Sequence, residues 1–138
     1  MIAGVVMLAA AGAAAVFIAK RASQVDFGNV DLVALGQRTY STHCASCHGA
    51  KLEGQANWQE RKPDGKLPAP PHDASGHTWH HPDRQLFDIT KRGVSAIVPG
   101  YQSDMPAYGD ILSDREIWAV LAYMKSTWPP EVRARQPR

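Results

Sequence analysis

The chain has 138 residues, which is enough for one folded domain and leaves little for a second. Its formal charge is +2, from 15 Lys and Arg against 13 Asp and Glu, and no run of like charge is long. This charge pattern excludes a basic arm or patch for nucleic acid and predicts a globular unit that binds no nucleic acid.

The N-terminal segment is the only long uncharged stretch. Residues 2–19, IAGVVMLAAAGAAAVFIA, are all apolar or small, and Lys20 and Arg21 follow them. A helix of this length rises about 27 Å, close to the roughly 30 Å hydrocarbon core of a bilayer. The segment has no polar face and no small-x-small cleavage site. We predict a transmembrane signal anchor over residues 1–21, in preference to a cleaved signal peptide, and a linker over residues 22–29.

The first predicted helix after the linker begins near Asp31, which is a favourable N-cap residue. Leu32, Leu35 and Tyr40 lie roughly on one face of this helix, and Gly36 lies beside them. A glycine inside a helix costs about 1 kcal/mol relative to alanine, so Gly36 indicates the close approach of another backbone.

Residues 49–81 are predicted to form a long loop. They are rich in glycine, proline and polar residues, and they show neither a helical nor an alternating pattern. Loops of this length inside a compact domain are normally functional or wrapped around a ligand. We therefore expect a cofactor to complete the core.

Two further helices have clear start and stop signals. Pro82 fits the first position of one helix and Gly93 its end. Ser113–Glu116 has the sequence of a capping box at the start of the other, and Pro129–Pro130 ends it. No strand pattern is present, so the predicted fold is all-α, and residues 131–138 are predicted to be a flexible tail.

The two cysteines of the chain, Cys44 and Cys47, lie within four residues and are followed by His48, in the sequence CASCH. A redox Cys-x-x-Cys motif normally follows a strand, and structural zinc normally needs two such pairs. Cys-x-x-Cys-His is the signature of c-type haem attachment, in which both thiols become thioethers and the histidine reaches the iron. We predict haem c bound through Cys44 and Cys47, with His48 as an iron ligand.

Haem attachment also bears on the compartment. In bacteria it takes place outside the cytoplasm, which agrees with an export segment and with the absence of further cysteines. We therefore expect the domain on the periplasmic face of a bacterial inner membrane. Lys20 and Arg21 lie on the C-terminal side of the anchor, however, and the positive-inside rule favours the opposite orientation. The sequence leaves this conflict open.

The second axial ligand decides between an electron carrier and a haem that binds gases or peroxide. Met105 is the preferred candidate, because Pro106 and Gly109 flank it in a loop that can present one side chain rigidly. Met124 lies on an apolar helix face, where core packing is expected. Four histidines are alternatives, either as the iron ligand or as a copper or zinc site: His72, His77, His80 and His81.

With these motifs the chain resembles a class I c-type cytochrome, in the single-haem, membrane-anchored form found in bacteria. The resemblance covers residues 30–130 and is carried by GQRTYSTHCASCHG, GHTWHHPDRQLFDITKRG and MPAYGDILSDREIWAVLAYMKSTWP. It implies the class I cytochrome c fold, a few helices around one covalent haem. It also implies an electron carrier, not an enzyme, with a terminal oxidase, a quinol-oxidising complex or a dehydrogenase as partners. A fixed haem subunit of a larger complex and a five-coordinate peroxidase or gas-binding protein are the alternatives.

The resemblance also implies roles for single residues. Gly36 would lie where the first helix crosses the last. The carbonyl group of Pro70 would accept a hydrogen bond from the second ring nitrogen of His48, since a ligating imidazole is oriented by an outer partner. Trp58 and Trp79 would line the haem pocket, with plain core packing as the alternative.

Overall fold

The computed structural model describes residues 25–138, so the predicted anchor and the first three residues of the predicted linker, 22–24, lie outside the described part. Two 3-10 helices, Thr78–His80 and Val94–Ala96, accompany the α-helices of this part, which contains no strand. Five α-helices follow one another: α1 (Val30–His43), α2 (Ala45–His48), α3 (Asp83–Arg92), α4 (Asp114–Thr127) and α5 (Pro130–Arg135). The all-α prediction is confirmed for residues 25–138, and none of the helices there is both long and apolar enough to cross a bilayer.

Local caps set where α1 and α4 begin. The N-cap of α1 is Asn29, whose side chain accepts a hydrogen bond of 3.0 Å from the backbone N–H of Leu32. The predicted start near Asp31 is therefore two residues late, and Asp31 lies in the first turn. At α4, Ser113 and Glu116 form the predicted capping box.

The crossing of α1 and α4 is the central contact of the fold. Gly36 lies against α4 so closely that a methyl group there would overlap the backbone carbonyl of Ala119 and come within 2.9 Å of the Tyr123 Cβ atom. One turn further along α1, Tyr40 is 1% exposed, and its ring lies 5.5 Å from that of Tyr123. The predicted role of Gly36 is confirmed, and this crossing fixes the end of α1, from which the cysteine motif begins.

Helix α3 also packs against α4. Phe87 and Trp118 stack with their ring centroids 4.3 Å apart. Met124 is 4% exposed in the same core, as predicted for a packing residue. Pro82 precedes α3 as its N-cap and is not its first residue, while Gly93 ends the helix as predicted.

A buried ionic cluster joins both ends of the described chain. The Asp83 carboxylate receives the Lys125 ammonium group at 2.9 and 3.1 Å, the Gln136 amide at 2.8 Å and the Val25 backbone N–H at 2.9 Å. Asp83 is 6% exposed and Lys125 7%, so each charge depends on these partners. We call Asp83, Lys125, Gln136 and the Val25 N–H the Asp83 cluster.

The prediction of a flexible tail over residues 131–138 is wrong. Pro130 begins α5 directly after α4, and Val132 and Gln136 are both buried. The segment looks too polar to pack, but its glutamine binds a buried carboxylate, Asp83, instead of water.

Candidate haem site

The cysteine motif is presented by the end of α1. Cys44 lies between α1 and α2, and α2 carries Cys47 and His48. Both thiols are free, with Cys44 partly buried and Cys47 exposed. Burial, with a smaller contribution from Cys47, raises the pKa of Cys44 to about 11, which keeps this thiol protonated near pH 7. One sulfur therefore packs against the core while the other is accessible.

The ring of His48 is held in one tautomer. Its Nδ1 atom lies 2.9 Å from the carbonyl oxygen of Pro70, which can only accept, so Nδ1 carries the hydrogen. Burial lowers the pKa of His48, against the opposing effect of the Pro70 bond, so the ring is neutral near pH 7. The lone pair is then on Nε2, which is the form in which imidazole ligates a metal. The predicted contact with Pro70 is confirmed.

The long loop folds back on α2 to bring Pro70 to this position. The N–H of Gly54 donates to the carbonyl of His48 at 2.8 Å, and the N–H of Gln55 donates to Ala69 at 2.9 Å. Gly54 has a φ of +69°, and a Cβ atom there would lie 2.7 Å from the carbonyl carbon of Pro70. A side chain at residue 54 would therefore push the Pro70 carbonyl away from the imidazole.

His72 lies against His48. The two rings stack with centroids 4.0 Å apart and planes inclined by 23°. The Nδ1 atom of His72 lies 2.8 Å from the Thr78 hydroxyl, and the carbonyl of His72 accepts a hydrogen bond of 2.7 Å from the Trp128 indole. Imidazoles on opposite faces of one iron point at each other across the metal and cannot stack in this way. His72 is thus excluded as the ligand opposite His48, although the sequence left that role open.

Two of the other histidines, His77 and His80, contact tryptophans, and the ring centroid of His80 lies 3.8 Å from that of Trp79. His77 stacks on Trp58, with centroids 5.2 Å apart and planes 7° apart, and lies 5.4 Å from His81. The Trp79 indole donates to a loop carbonyl, and the Arg135 guanidinium lies 4.7 Å above the ring centre. Trp79 therefore packs beneath α5. In the part of the chain from residue 25 onward, no group of three or more His, Cys, Asp and Glu side chains is arranged to hold a metal ion.

Met105 lies in the loop between the second 3-10 helix and α4. It is partly buried and packs against the same hydrophobic core as Cys44 and Ala45. Three residues later, the hydroxyl of Tyr108 donates a 2.7 Å hydrogen bond to the carbonyl of His43, which directly precedes Cys44. The Met105 loop is therefore tied to the cysteine motif. Sequence reasoning missed this role of Tyr108, although the residue lies in the MPAYGD segment.

The family model described as cytochrome c matches residues 33–128, a range that includes all of the site residues above. The chain belongs to the cytochrome c family. Its cofactor is haem c, attached covalently through Cys44 and Cys47, and this class I c-type cytochrome is a haem-based electron carrier. Comparison with the curated proteins and with the solved structures gave no match.

The donor groups of this cytochrome fit its cofactor. Two free thiols lie on either side of the first turn of α2, and a neutral imidazole with an unpaired Nε2 follows directly. Covalent attachment needs the two thiols at this spacing, and iron ligation needs that nitrogen.

Proposed function

We propose that this cytochrome carries one electron at a time between components of a respiratory chain, with a single haem whose iron is ligated by His48 and Met105. When bound, the haem supplies an iron that alternates between the ferrous and ferric states. The observation that carries this proposal is the His48–Pro70 hydrogen bond, which leaves Nε2 of a buried, neutral imidazole for the iron.

The polypeptide contributes orientation and closure. Pro70 and His72 hold the plane of the His48 ring by a hydrogen bond and by stacking. Tyr108 fixes the loop of Met105 to the end of α1, which supports the Met105 thioether as the second ligand that would hold the iron. An iron with both axial positions filled exchanges electrons without binding small ligands.

Carbon monoxide binding tests this proposal. We expect the reduced, haem-loaded protein to bind carbon monoxide slowly and incompletely, because Met105 must first leave the iron. Rapid mixing with detection in the visible range measures the rate. Immediate and complete binding by the unmodified protein would instead indicate a five-coordinate peroxidase or gas-binding protein.

The proposed partners are a terminal oxidase, a quinol-oxidising complex or a dehydrogenase, and the proposed place is the periplasmic face of a bacterial inner membrane. The apolar residues 2–19 support a tether. Val25 already belongs to the folded domain, since its N–H is bound to Asp83, and only residues 20–24 lie between it and the apolar segment. A short tether raises the effective concentration of the haem domain near membrane-bound partners.

Protease access tests the orientation. In cells whose outer membrane has been opened, we expect added protease to digest the haem domain while cytoplasmic marker proteins stay intact. Replacing Lys20 and Arg21 with glutamine is the matched variant, and it should leave this result unchanged or strengthen it. Full protection of the domain in cells with an intact inner membrane would refute the periplasmic assignment.

A further inference from the structure

Two lysines of the long loop hold the residue that precedes Met105. The Nζ atom of Lys62 lies 2.6 Å from Oδ2 of Asp104, and the Nζ atom of Lys66 contacts Oδ1 of the same carboxylate. These contacts span 42 and 38 positions of sequence. They join the Met105 loop to a segment that has no other role in the site described so far.

The lysines are carried by a turn with its own hydrogen bonds. The N–H of Lys62 donates to the carbonyl of Lys66, and the N–H of Gly65 donates to the carbonyl of Lys62, both at 2.8 Å. The N–H of Lys66 also donates to the Asp64 carboxylate at 3.0 Å, and the Arg61 guanidinium donates to the Gly65 carbonyl at 2.6 Å. Because the turn is preorganised, little further ordering is needed to place both ammonium groups on one partner.

The same two segments meet at a second point. The Arg61 guanidinium lies 5.9 Å from the ring centre of Tyr101, and residues 98–102 face the turn across a cleft of about 410 Å³. Residues 98–108 form no helix or strand, so the backbone of this loop has no ladder to fix it. Between its ends, Met105 donates its backbone N–H to the Ser103 hydroxyl at 3.1 Å. Backbone hydrogen bonds from Tyr108 to Thr90 and from Gly109 to Lys91 fix the end of this loop. The side-chain contacts of Asp104 act nearer to Met105.

We propose that Lys62, Lys66 and Asp104 form an ionic latch that positions Met105 on the haem iron. The inference rests on the proposed function, because it takes Met105 as the iron ligand. The latch keeps the Met105 loop close to the long loop of residues 49–81. This contact raises the fraction of molecules in which the Met105 thioether is bound to the iron. Without it, the loop moves more freely and an added ligand displaces Met105 more readily. Lys62, Lys66 and Asp104 are positioning residues, since they act on the iron through Met105.

Titration of the ferric, haem-loaded full chain with imidazole measures this effect. Binding is followed by loss of the sulfur-to-iron charge-transfer band. We expect Asp104→Asn and the double variant Lys62→Met/Lys66→Met each to bind imidazole about three- to tenfold more tightly than the unmodified protein. The three substitutions combined should have no greater effect than Asp104→Asn alone, because all of them break the same contact.

Lys91→Met is the matched control. Lys91 pairs with Asp114 at 2.6 Å, and its side chain is 36% exposed against 37% for Lys62. It should leave imidazole affinity within about twofold of the unmodified protein. About 1 M salt should raise the affinity of the unmodified protein toward that of the variants and change Asp104→Asn little, since exposed ion pairs are screened.

The possible outcomes distinguish failure of the ionic latch from failure of Met105 as the iron ligand. If the unmodified protein shows the band and the latch variants bind imidazole as it does, the latch is refuted and Met105 ligation stands. If the unmodified protein has no band, Met105 is not the ligand and both proposals fail. If the variants lose helical circular dichroism together with the band, the ion pairs stabilise the fold generally, and the positioning role is refuted.

Discussion

Replacing Met105 with alanine is expected to abolish the sulfur-to-iron charge-transfer band of the ferric protein and to lower its midpoint potential. A thioether favours ferrous iron, and axial ligands set haem potentials over a range of about 0.8 V, so we expect a fall on the order of 0.1 V. The reduced variant should also bind carbon monoxide rapidly, because one axial position is open. Optical spectra and a redox titration measure these effects.

Met124→Ala is the matched control for this substitution. Met124 is 4% exposed in the core between the helices, so its loss should lower the free energy of unfolding by about 2–5 kcal/mol. It should nevertheless keep the charge-transfer band. An unchanged spectrum in Met105→Ala, or loss of the band in Met124→Ala alone, would remove Met105 from the ligand set.

Replacing Lys125 with methionine is expected to lower the free energy of unfolding by about 3–5 kcal/mol. The change leaves the Asp83 carboxylate, which is 6% exposed, without its counter-charge. The same carboxylate holds the Val25 N–H and Gln136, so both ends of the described chain should loosen. Denaturant unfolding of the haem-loaded protein, followed by circular dichroism, measures the loss.

Lys91→Met serves as the control here as well, because the Lys91–Asp114 pair has similar length but is exposed. Its loss should change the free energy of unfolding by less than about 1 kcal/mol. Equal losses of unfolding free energy in Lys125→Met and Lys91→Met would show that burial does not increase the contribution of the Asp83 cluster to stability.

The features of this cytochrome that could be predicted from the sequence depend on residues only a few positions apart in the chain. CASCH places two thiols and an imidazole on one turn, and the capping box at Ser113 requires only Glu116, three residues on. Gly36 predicted the close approach of another backbone, because a glycine inside a helix lowers its stability, and the family resemblance placed the last helix there. The Pro70 contact came from the family resemblance and not from spacing.

The parts that the sequence did not predict depend on partners far apart in the chain. Asp83 directly follows Pro82 at the predicted start of a helix, yet its hydrogen-bond partners are Val25, Lys125 and Gln136. Periodicity cannot pair positions separated by 42 to 58 residues. His72 belongs to a histidine cluster in a polar segment, which gives no sign of burial. Only the return of the long loop to α2 stacks the His72 ring on that of His48.

The anchor predicted over residues 1–21 lies outside residues 25–138 and stays a prediction. The prediction of a flexible tail was wrong because a polar segment packs when it supplies hydrogen bonds to a buried charge, as Gln136 does for Asp83.

The most direct test of the central claim is the mass and visible spectrum of the full chain produced together with haem-attachment machinery. We predict a mass that exceeds that of the polypeptide by one haem, with a pigment that acid and organic solvent do not extract. Replacement of both Cys44 and Cys47 by alanine should yield the polypeptide mass alone. A colourless unmodified protein with only the mass of its amino acids would contradict the account.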